Sequence, residues 1–474
     1  MMNAPGGLQR RIRLFSCMML VSGNMIGVGI FTTPGVVAKA FNEPWKILWA
    51  WGLGGILALT GALSFGELGA MYPEAGGTYV FIREAFGKPW AFISGWIFAA
   101  IITPGVIAVL AIGFSAYLGF PEGWSCKAVA MTAVAVLAWI NCRGVRAGVL
   151  VQNTTTFGKI IAMLGLALFV FVSGAHVPSF STSGLGAMSF KSTALALVPI
   201  MYTYSGWNAA VLVGGEVENP GRTIPLGLLW GTLLVTVVYL AMNALYLIAI
   251  PLTEMRGNLV VAETAVSHLL GPVWARILAI LIAVSSLGCL NATILTGPRI
   301  PFVMAQDRLF FEQFGSVDPR FSSPVRAILF QSAWAIILIA TGTFDRLLDW
   351  VTVPSLLVSL SCVAGLIRLR FLRPEVHRPY RVWAYPWVPL LFILTVVWIL
   401  AVNFMEDPRD SLMGGALIAL GIPLYFLLDT RTAWRLFFIN LIRPRRNTVW
   451  SNSCSFAPEN PGPAPCRMQR RLSR

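Results

Sequence analysis

Three groups of residues in this chain have types and spacings suited to chemistry. The first is Asn24-Met25-Ile26-Gly27-Val28-Gly29-Ile30-Phe31, in the middle of an apolar run from about Leu14 to Ala40. Two glycines around one residue weaken a helix, since each Gly costs roughly 1 kcal/mol relative to Ala. In hydrocarbon, backbone groups released from a helix are tolerated only where protein buries them or they line a cavity. The stretch therefore predicts a broken helix whose main-chain N–H and C=O groups hold a small ligand. The second group is Met201-Tyr202-Thr203-Tyr204-Ser205-Gly206-Trp207-Asn208, which follows Pro199. Ser and Asn can replace lost main-chain hydrogen bonds, and the aromatics can wall a pocket. The third is Lys159, well inside the apolar run 149–173. A charge at membrane depth is expensive enough to imply a role.

The elements that must position these residues are apolar helices. Of the 474 residues, 57% are hydrophobic and 12% charged. A soluble chain carries about twice that charge fraction. Runs near the roughly 20 apolar residues of a spanning helix recur along the sequence. Twelve are expected, at about 14–40, 46–71, 91–118, 126–141, 149–173, 193–215, 225–250, 273–305, 323–341, 346–370, 385–403 and 412–429. The fold class is an all-α polytopic membrane protein.

The net charge of +15 does not argue for nucleic acid, because its placement is one-sided. With twelve spans, 26 Lys and Arg fall on the side of the termini, 8 on the other, and Lys159 within a span. The positive-inside rule then sets both termini in the cytoplasm, with some attraction to anionic lipid. Arg10-Arg11-Ile12-Arg13 before an apolar run has the outline of a secretory or twin-arginine signal. The run is too long for one, and it contains the Gly-x-Gly element.

Seven cysteines, at 17, 126, 142, 289, 362, 454 and 466, have no metal-ligand spacing. The histidines, His176, His268 and His377, are far apart, with no HExxH or paired-acid motif on a span. Gly27-Val28-Gly29 lacks the third glycine and the preceding strand of a nucleotide fingerprint. An intramembrane enzyme is disfavoured, and no cofactor or metal is expected. Residues 443–474 read as a disordered basic tail. Between Pro251 and Pro272, the longest outside connection, Asn258 to Leu270 can form a short amphipathic helix over the mouth.

The two weak points fall in the first and sixth spans. These are corresponding positions if spans 1–5 and 6–10 are inverted repeats. Paired interruptions of this kind point to the binding site of a transporter, with the leucine-transporter fold as a type example. Gly in a membrane helix also serves close packing, so each break alone has that second explanation.

The chain resembles the amino acid–polyamine–organocation superfamily, and within it the L-type amino acid transporters and their bacterial relatives. Five ordered stretches carry the likeness: Ile26 to Pro34, Glu67 to Gly77, Val151-Gln152-Asn153 through Gly158-Lys159, Tyr204 to Asn208 with Glu216 and Asn219-Pro220, and Asn291-Ala292-Thr293 with Gly297-Pro298-Arg299 and Met304-Ala305.

The resemblance implies a 5+5 inverted repeat with broken helices 1 and 6. Its parts would be an N-terminus at 1–13, repeats at 14–173 and 193–370, and two further spans at 385–429. It implies that the N–H groups around Gly27, Val28 and Gly29 receive a substrate carboxylate at a half-helix N-terminus. Met25 and Ile26 complete that break, and the carbonyls of Met25, Tyr202 and Ser205 would accept from the substrate ammonium. Relatives often carry Ser where this chain has Val28, so main-chain donors must suffice. Tyr202 takes the place of an aromatic gate. Asn208, Thr103, Asn291 and Ser355 could tune selectivity, although a plain interhelical hydrogen bond is as good an explanation for each.

In sodium-coupled relatives a cation ties the broken first helix to spans five and eight. Members with Lys at the position of Lys159 use the ammonium instead, and it could also release a proton. The function implied is a sodium-independent exchanger or proton-coupled permease for neutral L-amino acids. Cationic amino acids or polyamines are the alternative substrates, and an amino-acid sensor on the same fold is the alternative role. Glu216 and Glu218 lie beyond the sixth span, with Arg222 as their nearest partner in sequence. Glu67, Glu74, Arg83 and Glu84 read as gate chemistry. Animal relatives join a glycoprotein heavy chain through a Cys between spans three and four. Here Cys126 falls on a helix, so such a partner is not expected, and a bacterial inner membrane suits the chain.

Overall fold

With no water in the bilayer core to satisfy main-chain groups, an apolar run must close its hydrogen bonds internally, and it does so as a helix. The computed structural model describes residues 9–120, 123–172, 189–258, 260–341, 344–406, 415 and 418–428. Each of the twelve expected runs contains a helix, and no β-strand occurs among the described residues beyond two isolated bridges. The expected tail at 443–474, with Cys454 and Cys466, lies outside the described residues, as does His176.

The first run is α1 (Leu14–Met25) and α2 (Gly29–Val37), bent by 46° at the intervening residues. Next come α3 (Pro44–Met71), the short α4 (Gly77–Phe86), and α5 (Lys88–Ile97). A π turn at Phe98–Ile102 leads on into α6 (Thr103–Tyr117). Then follow α7 (Trp124–Cys142) and α8 (Val145–Val172). The sixth run is α9 (Phe190–Thr203) and α10 (Ala209–Leu212), separated by residues 204–208. The remaining helices are α11 (Pro220–Ala249), α12 (Leu252–Met255), α13 (Val261–Leu270), α14 (Pro272–Thr296) and α15 (Arg299–Gln306). They end with α16 (Val325–Thr341), α17 (Phe344–Leu372), α18 (Trp387–Glu406) and α19 (Gly421–Leu428). Proline in the first turn starts α3, α11 and α14, where its missing N–H costs nothing.

Among the described residues, eight helices are long and apolar enough to cross a membrane, and the bent α1–α2 pair makes a ninth. The expected twelve is not reached on length alone, for three physical reasons. The sixth run is divided by its break, α16 has 17 residues, and α19 has 8. The connection between Pro251 and Pro272 does form a helix, α13, which packs on α2, α11 and α14. The core lies where α1 is enclosed by α8, α11 and α14.

Candidate functional site

Breaking α1 after Met25 strands a set of carbonyls that would otherwise accept from the next turn. Each finds a specific donor. The Gly27 amide turns back to the Met25 carbonyl at 2.9 Å, so the Gly23 carbonyl loses its usual partner. Lys159 replaces it: its ammonium donates to the carbonyls of Gly23 at 3.1 Å, Ile26 at 2.6 Å and Ser285 at 3.4 Å. Lys159 is only 4% exposed, so the ammonium is held by main-chain oxygens in place of water. Ser285 also donates its hydroxyl to Ile26, at 3.2 Å. The Cys289 thiol donates to the Asn24 carbonyl at 2.9 Å. Lys159 on α8 thus ties the first break to α14.

The second break is joined to the first. The Asn24 amide donates to the Gly206 carbonyl at 3.2 Å, and its oxygen accepts from Thr293 at 3.1 Å. Gly206 sits at φ +96, in the left-handed region, where a Cβ would also lie 2.6 Å from the Asn24 amide nitrogen. Tyr239 on α11 brings its hydroxyl within 2.8 Å of the Met25 carbonyl and 3.0 Å of the Thr203 carbonyl. One phenolic proton thus serves a carbonyl at each break.

A cavity with about 110 Å³ of water-accessible space lies between the breaks. Asn24, Tyr202, Ser205 and Asn208 line it from the breaks, Thr103 from α6 and Ser355 from α17, with Trp207 and Phe392 among the apolar walls. No charged side chain is among its lining residues. Of the second break's aromatics, only Tyr202 and Trp207 border the cavity. Tyr204 is fully buried, with its hydroxyl on the Trp51 carbonyl at 3.1 Å.

Several expected site residues sit differently. Met25, Ile26, Gly27, Val28 and Gly29 do not line the cavity. A Cβ on Gly29 would lie 2.8 Å from the Thr203 hydroxyl, so Gly29 is where α2 packs directly on α9. The Met25 carbonyl is taken by Tyr239 and Gly27, and the Tyr202 carbonyl by the Ser205 amide at 2.9 Å. Of the three carbonyls expected to face an ammonium, only that of Ser205 has no protein donor among the described residues. Asn291 is fully buried away from the cavity, because its amide is spent on the Gly148 carbonyl at 3.0 Å and Gln152 at 3.2 Å. Its oxygen accepts from Asn141 at 2.9 Å.

Ion pairs and main-chain hydrogen bonds cross the bundle face that carries residues 9–13. Glu216 does not pair with Arg222; it meets Arg299, 83 residues away, at 2.8 and 3.2 Å, and both side chains are 0% exposed. Arg299 is also bonded to the Leu295 carbonyl. The amides of Arg11 and Ile12 donate to the Glu216 carbonyl at 2.8 and 3.0 Å, and Arg13 pairs with Glu218 at 3.1 Å. Glu67, also buried, accepts from Arg370 at 2.9 and 2.6 Å and from the Val382 amide at 2.7 Å. Arg83 meets Asp307 at 2.9 Å, Glu74 at 3.0 Å and Glu84 at 3.1 Å. Burial opposes the Arg83 charge, but Asp307 and the two glutamates outweigh it and hold its pKa above the ordinary value. Sequence proximity could not reveal the Glu216–Arg299 pair. Tyr239, Ser285 and Cys289 were visible only as residues within apolar runs, and Asn24 and Thr293 stood in motifs to which no side-chain role was given.

The family model for amino acid permeases matches residues 12–428. The chain belongs to this family. The permease is 30% identical to the serine/threonine exchanger SteT of Bacillus subtilis (strain 168) over 439 residues, covering 90% of this chain and 98% of that one. It is 30% identical to the human b(0,+)-type amino acid transporter 1 over 431 residues, covering 89% and 88%. It is 29% identical to the human cystine/glutamate transporter over 444 residues, covering 90% and 87%. These relatives are transporters, not enzymes, and the permease is an integral membrane protein that transports amino acids.

Proposed function

We propose that this permease is a sodium-independent secondary transporter of neutral L-amino acids, working by alternating access. The observation that carries the substrate class is the uncharged cavity between the two breaks. An α-amino acid carries its own two charges, which main-chain dipoles can meet. A cationic side chain would need a counter-charge that the lining residues lack. Cavity walls of Tyr202, Trp207 and Phe392 beside Thr103, Ser205, Asn208 and Ser355 suit a small neutral side chain.

The sodium independence rests on Lys159. Its ammonium already fills the position between α1, α8 and α14 where a coupling cation would neutralise the stranded carbonyls. In the proposed cycle, spans 1–5 and 6–10 act as inverted repeats, and the face sealed by Glu216 and Arg299 opens when α1 and α10 move. The arginine excess on that face supports a cytoplasmic assignment for it and for both termini, and a bacterial inner membrane fits a chain acting alone. The relative named as a serine/threonine exchanger is compatible with this range. A counterflow screen in proteoliposomes across all amino acids, with and without sodium and proton gradients, tests the reading. Uptake restricted to cationic amino acids, or a strict sodium requirement, would overturn it.

A further inference from the structure

The most conspicuous unsatisfied polar group lies behind the cavity wall. Gln331 on α16 is 1% exposed, yet neither its amide oxygen nor its amide nitrogen has a hydrogen-bond partner. A buried primary amide has two donors and an acceptor to satisfy, and leaving them all unmade is costly. Such a group in a native chain calls for a specific explanation.

The surroundings of Gln331 supply one. A Cβ built on Gly297 would lie 2.8 Å from the Gln331 amide nitrogen, 2.9 Å from its oxygen and 2.2 Å from a Thr103 methyl. Gly297 and Thr103 both line the cavity. The missing side chain at Gly297 is therefore what admits the Gln331 amide to the back of that wall. The neighbouring backbone is unusual as well, because α5 passes into α6 through the π turn that ends just before Thr103. Single π turns inside helices occur frequently at functional sites. Span nine is pinned to this turn, since the Trp334 indole donates to the Ala100 carbonyl at 3.0 Å. The amide is held beside Thr103 by its own helix.

We propose that Thr103, which lines the substrate cavity, and Gln331, which stands behind that wall where Gly297 has no side chain, together recognise a side-chain hydroxyl of the substrate. This rests on the neutral-substrate reading above and narrows it to small polar neutral amino acids. A substrate hydroxyl would give the Gln331 amide a hydrogen-bond partner, whereas an isosteric methyl would leave it unpaired. The discrimination comes from the unpaired group that remains when the wrong substrate binds. Gln331 is a specificity residue and takes no part in binding the substrate's carboxylate or ammonium.

L-threonine and L-valine are the appropriate probes, because they differ by one hydroxyl for one methyl. In proteoliposomes, the wild-type protein is expected to take up threonine in preference to valine, and Gln331→Met to lower the threonine-to-valine ratio about tenfold, the worth of one buried hydrogen bond. If Gln331→Met does not assemble, Thr103→Val is expected to lower the same ratio. An equal uptake of the two amino acids by wild type overturns the subsite, as does an unchanged ratio in an assembled variant. A Gln331 that only packs, or holds a structural water, leaves the ratio unchanged. Wild-type liposomes that take up neither amino acid, but do take up lysine or arginine, overturn the neutral-substrate reading itself.

Discussion

Replacing Lys159 by Ala removes the donor that compensates for the first helix break. The Gly23 carbonyl would be left without a partner, because the Gly27 amide is already turned to Met25. The Ile26 carbonyl would keep only the Ser285 hydroxyl, at 3.2 Å. A buried unsatisfied carbonyl costs about 1–3 kcal/mol. That energy falls on the broken conformation, since a continuous helix would satisfy the same carbonyl. A conformational bias of about 1–3 kcal/mol is roughly a 5- to 150-fold change in population. Lys159→Ala is therefore expected to lower exchange of a labelled neutral amino acid by one to two orders of magnitude. The wild type should work equally in sodium-containing and sodium-free buffers. The assay is initial-rate exchange in proteoliposomes, with the amount of correctly assembled protein measured by size exclusion. A Lys159→Ala protein that exchanges at the wild-type rate without sodium would refute the reasoning. Recovery of the variant by sodium would instead show that the vacated position accepts the ion.

Three further outcomes follow from the geometry. Gly29→Ala should reduce uptake far more than Gly27→Ala. A Cβ at Gly29 meets the Thr203 hydroxyl at 2.8 Å, whereas one at Gly27 meets the end of Leu110 at 3.2 Å and the Cys289 sulfur at 3.4 Å, both looser contacts; equal rates in the two variants would contradict this. Glu216→Gln leaves the Arg299 guanidinium buried against a neutral partner, a loss of about 3–5 kcal/mol when a buried pair is broken. It should lower the melting temperature in detergent and increase labelling of a reporter cysteine on that face; an unchanged melting curve would count against a sealing role. Tyr202→Ala should cut transport sharply while Tyr202→Phe retains most of it, because the ring borders the cavity. Equal losses in the two would assign the work to the hydroxyl.

The breaks themselves were legible because glycine pairs and small polar residues within a long apolar run have few other uses at membrane depth. The likeness of five ordered stretches to a transporter family was legible for the same reason. The direction in which the broken strands face was not. Glycine at 29 is equally consistent with a ligand contact and with close packing, and only the approach of α9 decides for packing at that position. Asn291 shows the same limit, since a polar residue in a span can face a cavity or another helix.

By itself, the sequence determined that this chain spans a membrane many times, that two spans are interrupted, and that a lone lysine lies at depth. These are one-dimensional properties of hydrophobic length, backbone propensity and the cost of charge in hydrocarbon. Only the tertiary structure decided the partners. Lys159 reaches Gly23 and Ile26 across 136 and 133 residues, Arg299 finds Glu216 across 83, and the Gln331 amide is brought against Gly297 and Thr103 from a different helix. Hydrogen bonds and ion pairs act over a few ångströms, and no feature of the linear order says which helices will stand that close.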